Sequence, residues 1–341
     1  MKTTKRILAL ALICASFISL FSCTADNPSV KTKTFWGYFD TVGTLYDYTG
    51  SSKKAFSRVA DRIEEELAEY HRLYDIYNEY DGIVNIATLN RTAGEGPQKV
   101  DKKIIDMLLF AKEMYTFTDG AVNVAMGSVL KIWHDYREAG VAIPDMSELV
   151  AANAHTDINS IIIDAENLTV EITDKDTRLD VGAIAKGYAV EMLAQKLWAM
   201  GGGYVLDIGG NLRVVGTKKD GSGWVSGIRN PDTYAQNPYV YTLTLKENDA
   251  LVTSGSYERS YTVGGVRYHH IINGETLMPE NYYLSVSVKS TSSALSDALS
   301  TAIFNMPYDE AVAFIEGVSG IFVILVLPNG EVVTVEGGLG C

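Results

Sequence analysis

Cysteine is scarce in this chain, and its placement excludes several classes of protein. The three cysteines are Cys14, Cys23 and Cys341. Because Cys14 falls in an apolar leader and Cys341 is the last residue, no internal pair remains for a disulfide and no cluster remains for zinc. A thioredoxin-type redox protein and an iron–sulfur protein are therefore excluded.

Basic residues are also in short supply. The chain has 29 lysines and arginines against 42 aspartates and glutamates, for a net charge of −13. General nucleic-acid binding depends on basic side chains against phosphate, so this composition argues against it. Any phosphate ligand would need local help from a metal ion or a helix N-terminus.

Three familiar motifs are missing. The sequence has no P-loop, no G-x-G-x-x-G after a strand and no G-x-S-x-G elbow. These absences argue against a P-loop nucleotidase, a Rossmann dehydrogenase and a serine hydrolase of the α/β type. With 341 residues and 47% apolar content, the chain can still bury a large core, as one big domain or two intimate halves.

The N-terminus has the pattern of a bacterial lipoprotein signal. Basic residues precede an apolar run from Ile7 to Leu20, which is shorter than the roughly 20 residues that span a bilayer. The run ends in Leu20-Phe21-Ser22-Cys23, which resembles a lipobox. We predict a signal peptide over 1–22, lipidation at Cys23, a membrane tether over 23–34 and a folded domain over 35–341. The alternative is an ordinary signal peptide with a chance cysteine.

Beyond the tether, hairpin-like strand pairs alternate with amphipathic helices. Apolar residues at helical spacing predict helices over 56–74, from Asp101, over 182–200, over 294–304 and over 309–318. Turn residues between short apolar runs predict hairpins near Asp164 to Asn167 and at Pro328-Asn329-Gly330. The pattern predicts an α+β fold of mixed, largely antiparallel sheets with flanking helices.

A first candidate site is the segment from Leu179 to Tyr188, at a predicted strand-to-helix junction. Small residues there let a ligand approach the backbone, and Lys186 adds a positive charge. The helix N-terminus favours an anion. The alternative is a plain helix start, with Asp180 as its capping residue.

A second candidate site lies on the predicted helix from Ala294. Asp297 and Thr301 stand at positions i and i+4, and therefore on one face. Both offer oxygen, which Mg²⁺ prefers. The alternative is structural, since an aspartate suits a first helical turn and a threonine can bond back to its own helix.

A third candidate is the pair His269-His270, which belongs to a predicted strand. Alternation sends the two side chains to opposite faces, so one could enter a cleft while the other faces solvent. Histidine is the usual proton carrier near neutral pH. A structural histidine is the alternative reading.

Taken together and in order, these segments resemble the ApbE family of FAD:protein FMN transferases. The resemblance is carried by Phe39–Thr44, Tyr77 with Leu89-Asn90, Gly120–Asn123, Asp180–Gly187, Asp207–Asn211, Trp224 with Gly227–Pro231, Thr253–Arg259, His270–Ile272 and Asp297–Thr301. It implies an ApbE-like, T-fold-related architecture with the ligand cleft between two lobes. The chain departs from the family's usual residues at Val42, Val122 and Asn273, which stand where methionine, phenylalanine and aspartate are common.

The resemblance also implies roles for individual residues. FAD would contact Val42, Tyr77, Ala121, Val122, Asn123, Asp180, Lys186, Ile271 and Ile272. Mg²⁺ would bind Asp297, Thr301 and the backbone carbonyl of Ala183, and His270 would face the reacting phosphate as the proton acceptor.

The implied reaction moves FMN from FAD onto a threonine of a target protein and releases AMP. The target would be an electron-transfer membrane subunit. The enzyme would be extracytoplasmic and lipid-anchored through Cys23 to the bacterial cell membrane or to a periplasm-facing membrane. Two alternatives stay open at this point: a pyrophosphatase that cleaves FAD to FMN and AMP, and a lipoprotein that binds FAD without transfer.

Overall fold

The computed structural model describes residues 30–218 and 220–338. The predicted signal peptide, Cys23 and the tether up to residue 29 lie outside these described residues. Among the helices within the described ranges, each is too short or too polar to cross a membrane.

The helices of this region are α1 (Lys53–Tyr74), α2 (Ile86–Arg91), α3 (Lys102–Phe117), α4 (Gly127–Ala139), α5 (Met146–Asn153), α6 (Ala185–Ala199), α7 (Ser293–Phe304) and α8 (Tyr308–Glu316). The strands are β1 (Lys31–Tyr38), β2 (Thr41–Asp47), β3 (Gln98–Lys99), β4 (Ile161–Asp164), β5 (Thr169–Ile172), β6 (Tyr204–Ile208), β7 (Asn211–Val215), β8 (Trp224–Arg229), β9 (Tyr239–Leu245), β10 (Ala250–Gly255), β11 (Ser260–Val263), β12 (Val266–His269), β13 (Ser285–Ser290), β14 (Phe322–Val326) and β15 (Val332–Glu336).

An eight-stranded sheet forms the frame of the molecule. Its strand order is β1-β2-β6-β7-β10-β13-β14-β15, and its neighbouring strands run antiparallel. Smaller sheets pair β3-β5-β4, β8-β9 and β11-β12. The predicted α+β class with largely antiparallel sheets is therefore confirmed.

The two faces of this sheet carry different layers. Leu206 of β6 points into the main core, where it joins residues of α1, α3 and α6. Val205, the preceding residue, points the other way and packs with Trp224 of β8 and Leu245 of β9. Because successive strand residues alternate between faces, the helices cover one side of the sheet and the β8-β9 hairpin covers part of the other.

Helices α4 and α5 form a smaller unit that has its own hydrophobic cluster. Met126, Val129 and Trp133 pack with Leu149 of α5 and with Ile272, in a cluster separate from the main core. The indole nitrogen of Trp133 donates to the carbonyl of Leu277 (2.9 Å). These contacts fix α4 against the chain that follows β12, and a cleft runs between them and the sheet.

Several predicted boundaries differ from the structure. The first strand begins at Lys31, inside the predicted tether. It forms a hairpin with β2 that turns at Phe39 and Asp40, both with positive φ (52° and 53°). The helix predicted from Gly182 begins at Ala185, after a turn. Helix α5 was missed because Leu149 is its one buried residue, so no apolar stripe marks it.

Candidate functional site

One large cleft gathers the predicted site residues of the described chain. Its volume is about 1260 Å³. The residues brought to its wall are Val42, Tyr77, Ala121, Val122, Asn123, Asp180, Ala183, Lys186, His270, Ile271, Ile272, Asp297 and Thr301. These positions span most of the chain, so the fold assembles the site from distant segments.

The contact between α6 and α7 places the acid of the site. The amide of Gly187 donates to Asp297 Oδ2 (2.7 Å). A Cβ added at Gly187 would lie 2.4 Å from Asp297 Cβ and 2.5 Å from the carbonyl oxygen of Ser293. Only glycine therefore permits this close approach of the two helices.

The buried position of Asp297 disfavours the charged form of its carboxyl group. It is 4% exposed, and burial raises its pKa, while Lys186 and the Gly187 amide act in the opposite direction. Lys186 Nζ lies 3.7 Å from Asp297 Oδ1. Since burying a charge without enough compensation is unfavourable, this carboxylate is a ready partner for a further cation.

Two more oxygen atoms accompany Asp297. Thr301 Oγ1 makes only a long bond (3.4 Å) to the carbonyl of Asp297, so the back-bonding predicted as its structural alternative is present but weak. In a continuous helix the Gly187 amide would donate to the carbonyl of Ala183, yet here it donates to Asp297. Carboxylate, hydroxyl and carbonyl oxygens are the ligands that suit Mg²⁺, so these residues fit that ion.

Asp180 does not cap the helix that follows it. The residue at the N-cap of α6 is Ile184, which makes no side-chain cap bond. Asp180 Oδ1 instead accepts from the Gly182 amide (2.9 Å). Burial raises the pKa of Asp180, and the charges of Arg259, His134 and Arg137 oppose that rise. The capping alternative is therefore wrong, and Asp180 faces a basic part of the cleft.

The two adjacent histidines have different environments, but neither faces solvent fully. His269 is 1% exposed; its Nε2 donates to the carbonyl of Glu280 (2.8 Å), and its Nδ1 accepts from the Ile271 amide (3.2 Å). It is a structural residue, and the expectation that it faces solvent is wrong. His270 lines the cleft, and its buried Nδ1 has no partner within the described chain.

Burial and the basic groups nearby hold His270 in its neutral form. Burial lowers the pKa of His270 to about 3, and the charges of Arg259 and Arg137 act in the same direction. A neutral imidazole can accept a proton, which a charged one cannot. Without a bound ligand, His270 is therefore a weak base.

The predicted flavin contacts form another part of the cleft. The ring of Tyr77 packs on His134 with centroids 5.3 Å apart. The side chain of Asn123 is already hydrogen-bonded within the protein. Its Nδ2 donates to the carbonyl of Thr156 (2.8 Å) and its Oδ1 accepts from the Ala125 amide (2.9 Å). Val122 is 1% exposed and supports the wall from behind.

Sequence reasoning missed several cleft residues. Arg137, His134, Trp36 and Asn305 were not singled out, and Arg259 stood in a quoted segment without a role; all of them line the cleft. Arg137 donates from Nη2 to His134 Nδ1 (2.8 Å). Both residues belong to α4, a helix that the apolar pattern did not reveal. Arg137 and Arg259 thus add positive charge to one part of a cleft that also holds several carboxylates.

Comparison with known proteins shows which family the chain resembles in sequence. The sequence model of the ApbE family matches residues 42–325. The FAD:protein FMN transferase of Treponema pallidum (strain Nichols) is 31% identical over 309 residues, covering 85% of this chain and 84% of that protein. The enzyme of the same name from Klebsiella pneumoniae (strain 342) is 28% identical over 277 residues, covering 81% and 84%.

Solved structures of ApbE proteins share the fold of this chain. The ApbE protein of Thermotoga maritima superposes with a TM-score of 0.80 at 25% identity, covering 90% of this chain and 97% of that one. The flavin transferase ApbE from Vibrio cholerae superposes with a TM-score of 0.72 at 23% identity, with the same coverage.

Proposed function

We propose, from the fact that this chain belongs to the ApbE family, that it transfers the FMN half of FAD to a threonine of another protein. The observation that carries the proposal is the α6-α7 contact, where Asp297, Thr301 and Ala183 offer oxygen beside Lys186. Curated relatives carry the name of this activity.

The helix contact explains how the chain would hold a dinucleotide. The charge of Lys186 and the dipole at the start of α6 would attract a diphosphate. Mg²⁺ bound by Asp297, Thr301 and the Ala183 carbonyl would supply neutralisation of the negative charge on the reacting phosphate. Asp297 is already fixed by the Gly187 amide, so little reorganisation is needed before reaction.

In the proposed reaction the threonine oxygen forms a bond to the FMN-side phosphorus. The bond from that phosphorus to the bridging oxygen breaks, and AMP leaves with the bridging oxygen. The threonine proton goes to the imidazole of His270, whose Nδ1 has unused hydrogen-bonding capacity. Negative charge from a bound diphosphate would raise the low pKa of His270 towards a useful range.

We further propose that the protein works outside the cytoplasm, anchored to a membrane through lipid on Cys23. The support is the basic leader, the short apolar run and the lipobox-like Leu20–Cys23. A membrane location would suit an acceptor that is itself an electron-transfer membrane subunit.

The test is incubation of the purified domain with FAD, Mg²⁺ and peptides that carry one central threonine between randomised flanks. Transfer predicts a peptide mass increase equal to FMN less one water, with one AMP released for each peptide modified. Peptides with valine in place of the threonine are the control and should stay unmodified.

Other outcomes would contradict transfer. Free FMN and AMP without a modified peptide would show a pyrophosphatase, and bound FAD without either product would show a binding protein. Because the flanks are randomised, failure of every threonine peptide while FMN is released would count against transferase activity.

A further inference from the structure

Asn305 extends the row of oxygen-bearing side chains on α7. Asp297, Thr301 and Asn305 stand at i, i+4 and i+8, each turned by about 40° from the one before, and all three line the cleft. Asn305 is the C-cap of the helix and is 6% exposed. It therefore lies one turn beyond the proposed cation ligands, on the same side.

The surroundings of Asn305 fix which way its amide points. Its Nδ2 lies 3.5 Å from the carbonyl of Ile272 and 3.4 Å from the carbonyl of Thr301. Reversing the amide would put its oxygen against both carbonyl oxygens, which is unfavourable. Oδ1 therefore takes the remaining side, where it is buried and has no partner among residues 30–218 and 220–338.

A helix C-cap needs the nitrogen of this side chain but not an unpaired oxygen. A buried acceptor left without a donor is destabilising, and buried polar atoms of this kind are rare in folded proteins. An equally buried residue shows the contrast: Asn90, also 6% exposed, donates to the carbonyl of Leu179 (2.9 Å) and accepts from the Leu179 amide (2.6 Å). The oxygen of Asn305 lacks such a partner.

We infer that Asn305 Oδ1 accepts a hydrogen bond from the hydration shell of the cation held by Asp297 and Thr301. Mg²⁺ usually keeps several of its waters in proteins, and acceptors around those waters orient them. Asn305 is thus a positioning residue, and it also ties α7 to the segment that carries His270. This inference rests on the proposed function, because it assumes that the cation site exists.

The test measures Mn²⁺ affinity by titration with electron paramagnetic resonance detection, on the purified protein without FAD. Asn305→Leu should bind Mn²⁺ about tenfold more weakly or worse, the range seen when an outer partner of a metal site is lost. Its thermal midpoint without cation should fall less than that of Asn90→Leu, because leucine removes an unpaired buried oxygen together with the two long bonds of Nδ2. Asn305→Asp keeps an oxygen and should bind Mn²⁺ at least as well as the wild type.

The matched control is Asn90→Leu, which breaks two satisfied bonds at the same burial. It should lower the thermal midpoint without cation and leave the Mn²⁺ affinity of the folded protein unchanged. A merely structural role for Asn305 predicts that same pattern for Asn305→Leu. If Asn305→Leu does not fold, weaker Mn²⁺ binding by Asn305→Asp would overturn the inference.

A further comparison separates this inference from the proposed function. Asp297→Ala should abolish Mn²⁺ binding; if it does not, the cation site itself is wrong. If Asp297→Ala abolishes binding while Asn305→Leu binds Mn²⁺ like the wild type, only the role of Asn305 fails. Weaker binding of FAD alone by Asn305→Leu, with normal Mn²⁺ affinity, would place the donor on the dinucleotide and also overturn the inference.

Discussion

The two walls of the cleft are built in different ways. The helix wall (Lys186, Asp297, Thr301) stands on two helices in close contact, with its carboxylate fixed by the Gly187 amide at 2.7 Å. The histidine wall (Arg259, His270) comes from irregular chain around β11 and β12, and its imidazole Nδ1 has no partner within the described chain. The helix wall therefore has its carboxylate already fixed, whereas the histidine wall has an imidazole nitrogen that is still able to form a hydrogen bond.

This difference indicates a division of labour. Rigid packing suits a cation, whose ligands must be at fixed distances before it binds. An unpaired imidazole nitrogen on the histidine wall suits a group that meets its partner only when substrate binds. Changes to the helix wall should therefore affect cation binding, and changes to the histidine wall should affect turnover.

The largest expected effect is that of Asp297→Ala. Removing the carboxylate should eliminate the cation and with it several kcal/mol of stabilisation of the reacting phosphate, so transfer should fall by roughly 10³-fold or more. Because burial raises the pKa of Asp297, removing the carboxylate should offset part of the cost of leaving the Gly187 amide unpaired, and the variant should still fold. Transfer rate with Mg²⁺ and thermal unfolding check both points, and full activity would refute the helix wall as the cation site.

His270→Gln tests the histidine wall. The amide keeps much of the volume but cannot take a proton, so transfer should fall about 10²-fold, at the low end for general bases, since the pKa of His270 is about 3 in the protein alone. Dissociation constants for FAD and Mn²⁺ should not change. A variant with unchanged turnover would remove His270 as proton acceptor, and a loss of Mn²⁺ affinity would show that the two walls are not independent.

The two walls also differ in how far the sequence predicted them. Asp297 and Thr301 share a helix face because of their spacing, and the apolar stripe of that helix is strong, so local pattern was enough. The approach of α6 to α7 depends on Gly187 meeting a residue 110 positions away, which no local pattern contains. Arg137 was missed because α4 buries only Gly127, Val129 and Trp133.

His269 and His270 show what the alternation of side chains along a strand cannot predict. The strand pattern separated His269 from His270 correctly, but it could not tell that the other side of β12 is covered. His269 packs edge-on against Phe304 of α7, with ring centroids 5.3 Å apart. Such contacts between distant elements decide which polar residue becomes structural.

Asp207 also lines the cleft, and its titration can be followed through the pH dependence of stability. Burial raises its pKa from 3.8 to about 6, although the Gly210 amide donates to its Oδ1 (3.0 Å). The folded protein thus binds more protons than the unfolded chain between about pH 4 and pH 6. The contribution of Asp207 to the free energy of unfolding is therefore most favourable below pH 4 and falls as pH rises through 6.

Asp207→Asn should remove this dependence. Its stability relative to the wild type should rise between pH 4 and pH 7 and level off near a gain of about 3 kcal/mol, the equivalent of two pKa units. Urea unfolding of both proteins at several pH values gives this difference directly. A difference that is flat with pH would show that Asp207 titrates normally, and therefore that its surroundings in the cleft are more hydrated than those of Asp297.

Gly187→Ala has the smallest expected effect but probes the closeness of the helix wall most directly. In an open helix this substitution stabilises by about 1 kcal/mol. Here the new Cβ would lie 2.4 Å from Asp297 Cβ, and forcing such helices apart costs about 1–3 kcal/mol. The sign of the change in unfolding free energy therefore shows which effect is larger. An increase would mean that α6 and α7 can accommodate the added methyl group without being forced apart. A loss accompanied by weaker Mn²⁺ binding would show that helix contact and cation site are one structure, because the displaced group is the carboxylate itself.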